Sequence, residues 1–415
     1  MSVMRDAAWN GILGALLLAG CQDAAPAGWS GTERDSAGIL IVENTTPAGW
    51  PGSAPTLTEE LRIGSVDGAE TAFGGVAGLA VRSDGTILVL DAQARSIRVF
   101  SAAGRPSGTL GGPGTGPGEL RGAFTMVLVR DTLVVPDMSL QRVNTYPPDG
   151  PPGSFPLQLT DGIPVQWAGT THGTLMTQVR MLPLPGVDMG GGGDLIIERN
   201  LAGQVTDTVL ELPRGESYDM SGLVPGGAMP RFRVFAAEPV WAINADGWLA
   251  FANNAHYRIH VLDPAGNLVR IVARAVTPRP VTDRDRETFG RVMSDMLAGQ
   301  GMPGSGASEI LSNVDFAETY PALGKLMFGP GGTLWVQRAL TLPELEAADV
   351  PFDPQSTGGQ EWDVFDAAGR LRGSVTLPGG FSATVWHDGA LYGVQVDELD
   401  VQYVVRLRVD GPPIQ

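Results

Sequence analysis

The chain has 415 residues, of which 43% are hydrophobic, and a formal net charge of −17 at pH 7. This hydrophobic content is enough for a large core and excludes a disordered chain. Binding of an acidic protein to nucleic acid or to an anionic membrane surface is not favoured by counterion release. Neither is therefore expected as a partner.

The first predicted element is a lipoprotein signal peptide over residues 1–20. Arg5 lies in a short charged region, residues 12–18 are apolar, and Leu18-Ala19-Gly20-Cys21 matches the bacterial lipoprotein cleavage motif. The apolar run is too short to span a bilayer. Cys21 is the only cysteine, so no intramolecular disulfide can form, and we predict that Cys21 is lipidated. The alternative is an uncleaved signal with a free thiol.

The predicted lipid anchor implies a cellular location and a set of domain boundaries. Gln22 stands where an Asp would retain an enterobacterial lipoprotein in the inner membrane, so we expect the outer membrane or the cell surface. Residues 21–35 are rich in Ala, Gly, Pro and Ser and would form a tether. Residues 36–415 are predicted to be one domain, a monomer that contacts the membrane only through its lipid anchor.

A short unit with two tight turns recurs along the domain and predicts an all-β, six-bladed β-propeller. Most of these turns contain Gly, which adopts the positive φ angles of tight hairpins without a steric clash. The first turns fall at Asp84-Gly85, Asp131-Thr132, His172-Gly173, Asp246-Gly247, Gly331-Gly332 and Asp388-Gly389. The second turns fall at Gly104, Gly150, Gly203, Gly266 and Gly369. Five or seven blades remain open, because the third and sixth units are degenerate.

The last unit has only three predicted strands, near residues 383–386, 390–396 and 402–409. A ring of sheets must hide its open edges. We therefore expect residues 61–63, helped by residues 39–42, to supply the missing strand and close the ring. One inserted helix is predicted near residues 282–298, where a Thr-x-x-Asp cap precedes apolar residues at helical spacing.

The N-terminal part of the domain resembles a family of bacterial six-bladed propeller lipoproteins, related to the NHL-repeat propellers. The resemblance covers about residues 35–121. It rests on Asp35-Ser-Ala-Gly38, Ile41-Val-Glu-Asn44, Leu61-Arg-Ile-Gly64, Asp67-Gly68, Phe73-Gly74 and Gly114-Thr-Gly-Pro-Gly-Glu119. It implies the propeller fold and the envelope address. Some related propellers are enzymes and most are binding platforms, so the fold does not decide between these functions.

The long insertions are predicted to lie on one face of the propeller. In a blade with strands a to d, the a–b and c–d turns share one face, and these turns are short here. The b–c and d–a connections share the other face and carry every long insertion, namely residues 111–122, 181–193, 213–238, 275–320 and 339–360. Loops on a rigid scaffold usually carry function, so we expect ligands at this face.

Polar residues end the b strands on the same face and are the predicted ligand-binding residues. They are Asp91, Asp137, Arg180, Asn253, Arg338 and Asp397. If both arginines and carboxylates surround the mouth of the central channel, they could bind a carboxylate-bearing or sugar-like ligand through paired hydrogen bonds. Alternatively, each of these residues forms ion pairs between blades and has a structural role instead of binding a ligand.

Two functions compete at this point. The first is a surface lipoprotein without catalytic activity or cofactor, which binds an envelope protein, a peptide or a glycan. The second is a metal-dependent hydrolase or lyase of the lactonase-like propeller type, in which Asp91, Asp137, Asn253 and Asp397 would hold a divalent cation. No catalytic motif is recognisable, so the binding protein is favoured. The four histidines are too scattered to predict a metal site of their own.

Overall fold

The computed structural model describes residues 28–50, 53–68, 70–180, 193–219, 231–347 and 357–411. Its first three strands precede the repeats: β1 (Ser30–Ser36), β2 (Ile39–Thr46) and β3 (Thr56–Ile63). The remaining strands of the propeller form six blades, in each of which the consecutive strands pair antiparallel.

The first three blades have four strands each. Blade 1 contains β4 (Val76–Val81), β5 (Ile87–Asp91), β6 (Ser96–Phe100) and β7 (Pro106–Gly111). Blade 2 contains β8 (Val127–Val129), β9 (Thr132–Asp137), β10 (Arg142–Tyr146) and β11 (Gly153–Pro156). Blade 3 contains β12 (Ile163–Gly169), β13 (Leu175–Arg180), β14 (Leu195–Arg199) and β15 (Val205–Glu211).

The next segment of chain forms part of a small separate sheet, with β16 (Tyr218–Asp219) and β17 (Arg231–Val234). Blade 4 follows with β18 (Pro239–Ile243), β19 (Leu249–Asn253), β20 (Arg258–Leu262) and β21 (Leu268–Arg274). The small sheet is completed by β22 (Val314–Phe316), which pairs with β17 in parallel.

The last two blades complete the ring. Blade 5 contains β23 (Leu326–Phe328), β24 (Leu334–Ala339), β25 (Gly358–Phe365) and β26 (Leu371–Thr376). Blade 6 contains β27 (Phe381–His387), β28 (Ala390–Val396) and β29 (Gln402–Asp410). The predicted tight turns separate these strands, and Gly85 and Gly104 of blade 1 have φ angles of 83° and 74°, which side chains with a Cβ rarely adopt.

The core consists of apolar clusters between successive blades. Buried side chains join blade 1 to 2, 2 to 3, 3 to 4, 4 to 5 and 5 to 6. A further cluster, which includes Ile63, Val89 and Tyr392, joins blade 6 back to blade 1. Since six interfaces connect six sheets, the ring is closed, and the prediction of a six-bladed propeller is confirmed.

Ring closure uses the predicted strand, but with one correction. β3 pairs antiparallel with β29 and supplies the fourth strand of blade 6, as expected of residues 61–63. Residues 39–42 do not take part in this closure. Instead, β1 and β2 form a hairpin, and β2 adds in parallel to β21, so that blade 4 has six strands. Val42 is fully buried there, because the outer edge of blade 4 offers an apolar surface.

The predicted helix is confirmed as α1 (Asp283–Gly299), with a capping box between Thr282 and Asp285. Two further helices were not predicted: α2 (Gly304–Ser312) and α3 (Leu342–Ala347). All three lie in the predicted insertions. A buried cluster that includes Phe235, Phe289 and Leu345 packs the described parts of three insertions, residues 213–238, 275–320 and 339–360, against one another. These insertions therefore form one cap near blades 4 and 5.

Candidate functional site

The six predicted ligand-binding residues lie at or near the ends of b strands. Only Arg338 lines the larger cavity described below. A ligand-binding role for the other five stays a prediction, and their contacts explain what each does in the fold.

Two of them, Asp91 and Asp137, are fully buried. The Asp91 carboxylate accepts hydrogen bonds from the backbone N–H of Gly74 at 3.1 Å and of Ala94 at 2.9 Å. Asp137 accepts from Arg121, Gly122 and Leu140, also through backbone N–H groups. Each carboxylate thus joins a b–c turn to the preceding d–a connection, and these bonds satisfy its buried oxygens.

Arg180 forms ion pairs within and between blades. Its guanidinium contacts Asp194 at 2.8 Å and Glu238 at 2.7 Å, and Glu238 immediately precedes the first strand of blade 4. Burial acts to lower the pKa of Arg180, but the two carboxylates outweigh it and raise the pKa. Arg180 therefore remains charged and links blade 3 to blade 4.

Asn253 and Asp397 organise the turns that follow their strands. Asn253 Oδ1 accepts from the backbone N–H of Ala255 at 3.0 Å. Asp397 accepts from the N–H of Val401 at 2.9 Å and from the hydroxyl of Tyr403 at 3.1 Å. Burial acts to raise the pKa of Asp397, but these hydrogen bonds lower it overall, so the group is a carboxylate near neutral pH.

The larger cavity has a volume of about 850 Å³ and lies on the face with the long insertions. Its walls come from the outer strands of blade 4, from the d–a connection that contains α1 and α2, and from blade 5. Since the a strands surround the central channel of a propeller, this cleft lies toward the outside of the ring. A second cavity of about 390 Å³ shares Ala255, Thr319, Tyr320 and Pro321 with it.

The cleft concentrates arginines in an otherwise acidic protein. Four arginines line it: Arg258, Arg274, Arg279 and Arg338. Three carboxylates also line it: Glu43, Glu361 and Asp363. Both signs of charge are therefore available to a ligand, within a volume typical of small-molecule sites.

Two of the arginines are held by carboxylates on the blade 5 side. Arg338 donates to Glu361 at 2.8 Å, and Arg279 donates to Glu344 of α3 at 2.9 Å. Arg279 also donates to the carbonyl of Pro321 at 3.0 Å. These bonds join blade 5, α3 and the d–a connection, so this wall of the cleft is already organised.

A buried network forms another part of the lining. The Tyr257 hydroxyl donates to Asp363 at 2.7 Å, Ser374 donates to the same carboxylate at 2.8 Å, and Arg274 pairs with it. Burial raises the pKa of Tyr257 well above its usual value, and the neighbouring Asp363 carboxylate adds to the shift. Tyr257 is therefore a neutral hydrogen-bond donor that fixes Asp363.

Arg258 and Glu43 differ from the other charged residues of the cleft. Arg258 is half-buried and Glu43 is exposed. Within the part of the chain that the structure describes, neither side chain has a hydrogen-bond or ion-pair partner.

The histidines do not form a shared site. His256 is exposed in the cleft, and His260 stacks on Phe251 with ring centroids 4.9 Å apart. Burial and the nearby Arg258 lower the pKa of His260. Among the described residues, no group of three His, Cys, Asp or Glu side chains is placed to hold a metal ion. A divalent cation stays a prediction of the alternative function.

Sequence reasoning missed most of the cleft. It singled out Arg338, but not Tyr257, Arg274, Arg279 or Asp363. The arginine at the start of the c strand of blade 4, Arg258, was a visible signal, because arginines begin the c strands near the same turn in blades 1 and 2. Glu43 gave no such signal, since its position depends on the unexpected hairpin.

Comparison with known proteins supports the fold. No protein-family model matches the sequence, and no curated protein matches it significantly. A solved structure from Bacteroides vulgatus, described as a member of the DUF4221 family, is 12% identical with a TM-score of 0.54. The match covers 86% of this chain and 99% of that one.

Two other solved structures are similar at lower scores. One, from Bacteroides fragilis and named as an exported protein, is 12% identical with a TM-score of 0.49; 85% of this chain and 95% of that chain are covered. Virginiamycin B lyase from Staphylococcus aureus is 10% identical with a TM-score of 0.42; the match covers 86% of this chain and 100% of that one. Membership of the lipoprotein family stays a prediction.

Among the described residues, no helix is both long and apolar enough to cross a membrane. Cys21 and the rest of the predicted signal lie outside the described residues.

Proposed function

We propose that this chain is a lipid-anchored binding protein of the bacterial cell envelope, which captures a peptide or a glycan in the cleft between blades 4 and 5. The address rests on the lipoprotein motif that ends at Cys21 and on the resemblance to propeller lipoproteins. The protein would act as a monomer at the outer membrane or cell surface, with its cleft open to ligands.

The observation that carries the proposal is Arg258 in the cleft, whose side chain has no hydrogen-bond or ion-pair partner among the described residues. A guanidinium group in a partly closed cavity is suited to bind a carboxylate or another anionic group by paired hydrogen bonds. The neighbouring insertions pack into one cap, and the ion pairs of Arg279 and Arg338 hold its wall in place. A site organised before binding loses less entropy when the ligand arrives.

Isothermal titration calorimetry of the purified full chain tests this function. The two probes are trialanine, a short peptide, and trigalacturonate, a trisaccharide of uronic acids. We expect at least one probe to bind saturably, and Arg258→Gln to weaken that binding at least about tenfold. The matched control is Arg105→Gln, since Arg105 is an exposed arginine at a c–d turn on the opposite face. Absence of binding by both probes, or equal effects of the two substitutions, would contradict the proposal.

A further inference from the structure

The first described residues of the chain lie at the wall of the cleft. Gly31 of β1 pairs with Asn44 of β2, and Asn44 lines the cleft. Residues that pair directly in antiparallel strands have Cα atoms about 5 Å apart. The indole N–H of Trp29 also donates to the side-chain oxygen of Asn44 at 2.8 Å. The chain therefore enters the fold next to the cleft.

Contacts with two blades fix this entry point. β2 pairs in parallel with β21, which belongs to blade 4. On the other side, Glu33 of β1 forms an ion pair at 2.5 Å with Arg370, which lies in the c–d turn of blade 5. The Arg370 guanidinium also lies 5.9 Å from the centre of a Trp29 ring. The entry point is thus held between blades 4 and 5, and it stays at the cleft unless the hairpin separates from both.

The number of residues between this point and Cys21 limits how far the cleft can lie from a lipid anchor. Cys21 lies eight positions before Trp29. A fully extended chain spans at most about 3.6 Å per residue, so the Cα atoms of these two residues are at most about 29 Å apart. This limit holds for every conformation of the intervening residues. A lipid on Cys21 therefore brings the bilayer close to the cleft.

The tether decides which side of the ring lies nearest the bilayer. In a ring of six, blade 1 lies opposite blade 4, so its outer strand β7 is far from the entry point. The net charge of the protein is −17, so anionic lipid headgroups do not attract its surface in general. The side formed by blades 4 and 5 is therefore the side that the anchor holds at the membrane.

We infer that the cleft is held at the surface of the anchoring membrane and that its partner is a molecule attached to that surface, which offers a peptide or glycan chain. The inference rests on the proposed function and specifies the source of its ligand. A ligand linked to the same membrane, within reach of the cleft, has an effective concentration on the order of millimolar without any new contact.

The lining of the cleft indicates which part of such a molecule it binds. Arg274, Arg338, Glu361 and Asp363 are among the lining residues. An acyl chain would remove water from these charged groups and give them no hydrogen bond in return. The polar groups of a peptide or glycan chain can form hydrogen bonds with them. The bound part is therefore the polar chain, while the lipid of the partner stays in the bilayer.

Energy transfer to the bilayer tests the placement of the cleft. The full lipidated chain is reconstituted in phosphatidylcholine vesicles that contain an acceptor dye on lipid headgroups. Cys21 is the only cysteine and lipidation blocks its thiol, so each variant with one new cysteine takes one donor dye. The variants are Thr277→Cys at the cleft and, as the matched control, Thr109→Cys on β7; both threonines are exposed.

We expect more energy transfer from the dye at Thr277 than from the dye at Thr109. Insertion of about 40 Gly and Ser residues after Ala27 extends the reach of the tether by about 140 Å and should reduce the difference between the two positions. Equal transfer with the natural tether, or more transfer from Thr109, would overturn the inference. A difference that the insertion leaves unchanged would also overturn it, because the tether would then not set the placement.

A lipid-linked probe tests the source of the ligand. Dye-labelled trigalacturonate is first bound to the anchored wild type, and its displacement is followed by fluorescence anisotropy. Unlabelled trigalacturonate coupled to a lipid of the same vesicles through a short spacer should displace it at a concentration at least about tenfold lower than free trigalacturonate does. With the Cys21→Ser variant, which lacks the anchor, this advantage should be lost. If the lipid-linked and free probes displace equally from the anchored protein, the ligand comes from solution and the inference is wrong.

These outcomes separate the inference from the proposed function. If trigalacturonate or trialanine binds in calorimetry but the dyes at Thr277 and Thr109 show equal transfer, the cleft is a binding site and the inference is wrong. If trialanine alone binds, lipid-linked trialanine takes the place of the saccharide in the displacement experiment. If neither probe binds, the proposed function fails and the assigned partner fails with it. If the wild type does not stay on the vesicles, the predicted anchor and the inference are both wrong.

Discussion

Replacement of Asn44 by alanine should destabilise the protein, because this side chain connects the N-terminal hairpin to two blades. Asn44 is 3% exposed. Its amide group donates to the carbonyls of Ala273 in blade 4 at 3.2 Å and of Gly369 at 3.1 Å. Its carbonyl oxygen accepts from the backbone N–H of Leu371 in blade 5 at 2.7 Å.

The Asn44 oxygen also accepts from the indole N–H of Trp29 at 2.8 Å, and the size of the effect follows from these four bonds. A typical hydrogen bond contributes about 1 kcal/mol net, and a buried backbone group left without a partner costs about 1 to 3 kcal/mol. We therefore expect Asn44→Ala to lower the free energy of unfolding by about 3 kcal/mol, measured by urea titration. Asn267→Ala is the control, since Asn267 is exposed in a c–d turn and its side chain bonds only Asp263 among the described residues. A loss below about 1 kcal/mol for Asn44→Ala would refute the reasoning.

Three further predictions concern the ring, an ion pair and the anchor. Deletion of residues 36–64 removes the strand that closes blade 6 and exposes a sheet edge, so the product should aggregate in size-exclusion chromatography; a stable monomer would contradict this. Arg180→Ala leaves the buried Asp194 without its cation and should cost about 3 to 5 kcal/mol in urea titration, whereas Arg338→Ala, at an exposed position, should stay within about 0.5 kcal/mol. Similar losses of stability for the two variants would show that burial does not determine which arginine stabilises the fold. Cys21→Ser should move the protein from the membrane fraction to the soluble fraction, and unchanged fractionation would contradict lipidation.

The propeller was predictable because its signal is repeated. Each blade needs short strands of alternating side chains and tight turns, and residues such as Asp84-Gly85 mark those turns locally. The third unit is degenerate, but it can still be recognised because the neighbouring units are clearer. The closing strand was also predictable, since a last blade with three strands requires a fourth.

The position of the N-terminal hairpin was not predictable from the sequence. An apolar strand such as residues 39–42 fits any open sheet edge, and its hydrophobic pattern does not distinguish the edge of blade 4 from that of blade 6. The choice depends on contacts between distant parts of the chain. Asn44 illustrates this, because three of its four side-chain hydrogen bonds are made to residues more than 200 positions away.

The cleft was only partly predictable for a related reason. The cleft lies on the face that carries the long insertions, and Arg338 was found by its place at the end of a b strand. Asp91 and Asp137 occupy equivalent places, yet their carboxylates are buried by backbone N–H donors in neighbouring loops. Whether a polar strand end faces a cavity or a loop depends on how the insertions fold, which local sequence does not specify.

The central claim, that the cleft between blades 4 and 5 binds a ligand, is tested most directly by hydrogen–deuterium exchange. Exchange would be measured on the full chain with and without saturating trialanine, and likewise with trigalacturonate. We expect slower exchange in residues 43–45, 255–258 and 273–279 with at least one probe. Unchanged exchange in these segments with both probes, or protection confined to the opposite face, would contradict it.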